Sequence, residues 1–83
     1  MYYIIMCRSL TYAQKAERLL DRAGIYSGLT KAPQGITPEG CTFGLKLQAR
    51  HMQRALVIIR SSGIKTGKIF EIGEDGKAAE VKL

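Results

Sequence analysis

Residues 2–7, YYIIMC, are apolar at nearly every position, so a strand built from them is apolar on both alternations and is expected at the centre of a sheet, buried on two sides. The period then changes. Ala13, Ala16, Leu20 and Ala23 recur at helical spacing, Thr11 with Gln14 three residues on has the form of a capping box, and Gly24 closes the run as a C-terminal cap. The opposite face of this helix carries Lys15, Arg18 and Arg22 with Glu17 and Asp21 interleaved, a pattern suited to a solvated surface. Residues 25–32, IYSGLTKA, predict an edge strand interrupted at Ser27 and Gly28.

A Pro/Gly-punctuated loop, residues 33–40, leads into a strand in which Cys41, Phe43, Leu45 and Leu47 alternate with Thr42, Gly44 and Lys46. A second helix is predicted over 49–62, with Met52, Ala55, Leu56 and Ile59 on one stripe and Gly63 as its stop. Its off-stripe residues Arg50, Arg54 and Arg60 have no acidic residue beside them in the helix. Residues 64–72 predict a fourth strand, with Phe70 and Ile72 expected to face inward. The last residues, 73–83, contain an Asp75-Gly76 turn signal and weak alternation at Val81 and Leu83, which suits either a short extra strand or a frayed end.

The order strand, helix, strand, strand, helix, strand with short links predicts an α+β fold of the ferredoxin-like βαββαβ type. Its antiparallel sheet has the order 4-1-3-2, with two helices on one face. The whole of 1–83 is read as one domain, with 73–83 as a C-terminal extension.

Composition narrows the chemistry. A chain of 83 residues buries only about 60–65% of its unfolded surface, so the core is small. The longest nearly apolar run, residues 1–7, is too short to span a bilayer and lacks the flanks of a signal peptide, which leads to the expectation of a cytoplasmic protein with no membrane role. Two cysteines are too few for a disulfide scaffold and are expected as thiols. Cys7, Cys41 and His51 are too few soft ligands for a closed zinc site, and no cofactor or metal is expected. The formal charge of +6 favours an acidic partner, whether nucleic acid, protein or anionic substrate.

In the 4-1-3-2 topology four parts of the chain fall at one edge of the sheet. They are the end of the first strand at Cys7, the start of the third at Cys41, the N-terminus of the first helix at 9–11, and the link after the second helix at 61–65. Free amides in the first helical turn at Ser9 and Thr11, together with Arg8 and Lys65, would favour a thiolate there if they point at it. The Gly35 and Gly40 bends and the lack of large side chains in the loop would let a bulky partner approach Cys41, and Gly40 is a further thiolate-stabilising candidate. Two readings of Cys41 stay open: a reactive thiol, or a core residue on the same alternation as Phe43 and Leu45. Cys7 is the second candidate, as a resolving thiol, although it is embedded in an apolar strand. His51 is placed at the opposite edge in this topology, where a surface residue is expected rather than a base acting on Cys41.

The sequence of a strand, TYAQKAERLLDRAGI, KAPQGIT, GCTFGLKL, a second helix and IKTGKIFEI resembles the putative selenium/sulfur carrier protein-like family over about residues 3–72. Some members carry Cys-Gly where this chain has Cys41-Thr42 between Gly40 and Gly44. The resemblance implies a carrier that takes a sulfur or selenium atom onto Cys41 as a persulfide or perselenide. The donor would be a cysteine desulfurase or a selenocysteine lyase-type enzyme, and the atom would pass to an acceptor protein, so that turnover belongs to the partner enzymes. Two other classes compete. One is a basic nucleic-acid-binding module, for which Tyr2, Tyr3 and Phe43 are the few aromatics placed to stack bases on the central strands. The other is a ligand-sensing or assembly module with structural cysteines and a homodimer through the edge of the second strand.

Overall fold

The computed structural model describes residues 1–31 and 43–81. In chain order its elements are β1 (Tyr2–Cys7), α1 (Leu10–Arg22), β2 (Gly28–Lys31), β3 (Phe43–Gln48), a single 3-10 turn (Ala49–His51), α2 (Met52–Ser61), β4 (Thr66–Ile72) and β5 (Ala78–Val81). One five-stranded sheet in the order β2-β3-β1-β4-β5 joins them, every neighbouring pair antiparallel. This is the expected ferredoxin-like arrangement with β5 added outside β4.

β1 occupies the centre, and Ile4, Ile5, Met6 and Cys7 are all buried, as a strand apolar on both alternations requires. Pairing of Ile5 with Leu45 on one side and Ile69 on the other puts these residues on the face covered by the helices. Ala13, Ala16 and Leu20 of α1 and Met52, Ala55, Leu56 and Ile59 of α2 complete that core, the same stripes that the helical spacing predicts. Gly24 and Gly63 follow the two helices with φ of 78° and 83°, a left-handed conformation in which a Cβ would be strained.

Phe70 and Ile72 are buried, but not in this core. They lie with Ile4 and Met6 on the other face of the sheet, while Ile69 is the β4 residue that meets the helices. The reason is pairing: Phe70 stands opposite Ile4 and Ile69 opposite Ile5, so the parity of β1 decides which face each takes. β4 also carries one extra residue opposite Met6, a bulge between the Ile5–Ile69 and Cys7–Thr66 pairs.

Several boundaries differ from those expected. β2 starts at Gly28 rather than residue 25, because Ile25 and Ser27 turn into the core before pairing begins. Ala49–His51 form a 3-10 turn ahead of α2, and β4 starts at Thr66, with Ile64 buried in the link before it. Of the C-terminal residues, Leu83 lies outside the described residues, while Ala78–Val81 form a strand. Its turn is closed by Gly76, φ 79°, and by the Asp75 carboxylate, whose Oδ1 accepts from the Lys77 amide at 3.0 Å.

Candidate functional site

The end of β1, the start of α1 and the link from α2 to β4 meet at one edge, as the topology predicts. Arg8, Tyr12, Gly63 and Lys65 together line a cleft of about 210 Å³ there. Arg8 follows the last residue of β1, and Lys65 precedes the first residue of β4. Their proximity is therefore set by the antiparallel pairing of Cys7 with Thr66. Phe43, two residues after Cys41, begins β3 at this same edge, where Gly44 pairs with Met6. Gly40 and Cys41 themselves lie outside the described residues.

Ser9, not Thr11, caps α1. Its backbone is extended (φ −153°, ψ 165°), its Oγ accepts from the Tyr12 amide at 3.3 Å, and its carbonyl accepts from Ala13 at 3.0 Å. Thr11 is an exposed residue of the first turn. The Thr11-Gln14 pair resembles a capping box in sequence, but α1 already begins at Leu10, so the cap falls two residues earlier. No acidic residue occupies the first turn, so the positive end of α1 is not neutralised from within the helix. Ser9→Ala is expected to lower stability by about 1 kcal/mol, read as a shift of the urea midpoint at unchanged slope. A shift within error would mean that water replaces the cap without loss.

Cys7 is on the helix-covered face with none of its surface exposed, and its Sγ–H points to the Ile5 carbonyl at 3.8 Å. A partner protein cannot reach this sulfur without opening the core. His51 lies at the far end of β3, just ahead of α2, at the opposite edge from Arg8 and Lys65. Among the described residues no group of three His, Cys, Asp or Glu could hold a metal ion. No described helix is long and apolar enough to cross a membrane.

The helix-free face of the sheet is not an open stacking platform. Phe70 is 3% exposed among Ile4, Met6 and Ile72, and Tyr2 lies under the Lys46 ammonium, 4.2 Å from its ring centroid. Among the described residues Tyr2, Tyr3 and Phe43 are all half-buried, so these strands present no fully exposed ring on which a base could stack.

Sequence reading did not anticipate what lies next to the cleft. Tyr12 and Gly63 also belong to a larger groove of about 440 Å³, lined further by Lys15, Arg18, Leu19, Arg22, Ser62 and Ile64. Lys15, Arg18 and Arg22 were legible only as the polar side of a helix, because the turn that walls the groove comes from a part of the chain some forty residues away.

A family model described as Putative Se/S carrier protein-like matches residues 2–71, from β1 into β4 and ending before β5. No curated protein and no solved structure matches the chain.

Proposed function

This chain belongs to the Se/S carrier protein-like family, and from that premise we propose that it carries sulfur or selenium on Cys41, as a persulfide or perselenide, between a donor and an acceptor enzyme. The observation that carries the reading is the family match itself, which spans Cys41 together with every element of the predicted βαββαβ unit. Two features of the fold support it. β3 begins at the edge where Arg8 and Lys65 line one cleft beside the uncompensated N-terminus of α1. Cys7 is sealed in the core, which leaves Cys41 as the cysteine for exchange; a resolving role for Cys7 would require the core to open.

The chemistry is thiol exchange. The Cys41 thiolate attacks the terminal sulfur of a persulfide on the donor. A new S–S bond forms on Cys41 as the donor's S–S bond breaks, and the donor cysteine leaves as a thiolate. The transferred sulfur keeps its proton and no external oxidant is consumed. Handing on repeats the same step, with an acceptor thiolate as the nucleophile. Cations such as Arg8 and Lys65 would favour the thiolate that each step needs if Cys41 lies beside them. The donor would be a cysteine desulfurase or a selenocysteine lyase-type enzyme.

Intact-mass spectrometry under non-reducing conditions tests this. Wild type, Cys41→Ser and Cys7→Ala are incubated with a cysteine desulfurase and cysteine, or with selenocysteine lyase and selenocysteine. An adduct of one sulfur or selenium is expected on wild type and on Cys7→Ala, and none on Cys41→Ser. An adduct that persists in Cys41→Ser overturns the assignment. So does a wild-type protein that takes up no sulfur and whose Cys41 resists maleimide while folded.

A further inference from the structure

Five cations gather on one side of this domain, and among the described residues no carboxylate lines the cleft or the groove that holds them. Arg8 and Lys65 line the edge cleft, while Lys15, Arg18 and Arg22 line the groove that continues from it through the shared residues Tyr12 and Gly63. None of the five forms an ion pair with another described residue; the ion pair present among those residues is Lys68–Glu80, on the far strands. Cations lining a groove without a close counter-charge among the described residues favour an anionic partner there. Because α1 rises about 1.5 Å per residue, Tyr12 to Arg22 extends the stripe over about 15 Å.

The groove is not purely basic. Half-buried Leu19 and buried Ile64 form part of its lining, and Tyr12, 43% exposed, stands where groove and cleft join. Its positive strip is also narrow. Glu17 and Asp21 sit on the adjoining side of α1 and line a separate cavity with Tyr26 and Ser27, Arg18 marking the boundary between the two. A polynucleotide, charged at every residue, gains from a broad basic surface and would meet these carboxylates. A peptide segment whose carboxylates alternate with apolar side chains matches both the strip of cations and the apolar lining.

We propose that this groove is the docking surface for an acidic, apolar-interleaved segment of a partner protein, which it holds beside the sheet edge where β3 begins. The proposal rests on the carrier reading for the identity of that partner as a donor or acceptor enzyme. Docking here would bring the partner's reacting cysteine to the edge where the carrier chemistry is placed, by contacts that leave that edge uncovered. Long cationic side chains suit a surface that must release one enzyme and accept another, since exposed ion pairs are individually weak and exchange readily.

The test uses a fluorescein-labelled peptide alternating Glu and Leu, followed by anisotropy, with the Gln-for-Glu peptide as control. Lys15→Glu/Arg18→Glu/Arg22→Glu is compared with Arg50→Glu/Lys68→Glu/Lys77→Glu, a variant of equal net charge altered outside the groove. Binding to wild type that weakens with salt, falls at least tenfold in the groove variant, and stays within twofold of wild type in the control supports the proposal. Equal loss in both variants, or no preference for the Glu peptide, overturns it. Tighter, groove-dependent binding of a single-stranded RNA of the same charge would replace the protein partner with a nucleic acid. Loading of Cys41 by inorganic polysulfide separates the two claims. If Cys41 never loads while groove-dependent binding persists, the carrier reading fails and the groove stands. If Cys41 loads but the groove variant binds the peptide as wild type does, the groove fails and the carrier stands.

Discussion

Ile5→Ala is expected to lower stability by about 2–5 kcal/mol, the range for truncating a fully buried aliphatic side chain whose surroundings cannot close over the gap. Ile5 has no exposed surface. It sits on the central strand between Leu45 and Ile69, in the core cluster shared with Leu20 and Ile59. Two strands and a helix layer bound the site, so relaxation on one side is opposed by pairing on the other. Small domains are stable by only about 5–15 kcal/mol, so the variant loses a large share of its margin. Urea unfolding followed by circular dichroism measures this, with the linear slope checked for constancy. Val57→Ala, at a residue 65% exposed on α2, is the internal reference and should shift stability by no more than about 0.5 kcal/mol. A loss below about 1 kcal/mol for Ile5→Ala would mean that the core around β1 is far looser than its burial implies.

Gly44→Ala is the second large effect expected, in the opposite packing sense. A Cβ at this position would lie 2.8 Å from Ile4 Cγ2, 2.9 Å from the Ile5 carbonyl oxygen and 3.0 Å from Met6 Sδ. The methionine sulfur can swing aside, but the Ile5 oxygen belongs to the backbone of the neighbouring strand. The added methyl can be accommodated only by moving β1 from β3. Overpacking of this kind costs about 1–3 kcal/mol. Gly28→Ala provides the contrast, since a Cβ there meets nothing within 4 Å and the backbone conformation is ordinary. That change should be neutral or stabilising by up to about 1 kcal/mol through the unfolded state. Comparable losses in both variants would show that the general cost of a side chain, rather than the contact between β1 and β3, governs Gly44.

The difference between these two glycines shows why part of the fold can be read from the chain and part cannot. Both stand in short strands directly before a leucine, and neither has a local signature. Gly44 is demanding because Ile4 and Met6, some forty residues earlier, close over it on the face of the sheet away from the helices. The same non-local cause misplaces Phe70 and Ile72, whose alternation predicts burial without saying on which face. Ser9 and Thr11 are both plausible caps by residue type, and the start of α1 at Leu10 selects the former.

For the candidate site the balance is similar. The juxtaposition of Arg8, the start of α1 and Lys65 follows from the order of elements alone, because antiparallel pairing of β1 with β4 must bring those links together. The groove does not follow. Lys15, Arg18 and Arg22 become one wall of a binding surface only when the turn at 62–64 packs beside α1.

What the sequence by itself determined is therefore whatever is encoded over a few residues. The doubly apolar run made β1 central, the spacings of Ala13, Ala16 and Leu20 and of Met52, Ala55, Leu56 and Ile59 set the buried stripes, and Gly24 and Gly63 ended the helices. Tertiary structure alone decided the face taken by each β4 residue, the steric role of Gly44, the sealing of Cys7 and the groove that Lys15, Arg18 and Arg22 share with the turn at 62–64. The physical reason is range. Helical and strand periodicities are short-range consequences of backbone geometry, whereas strand register and helix docking are settled by contacts between residues far apart in the chain.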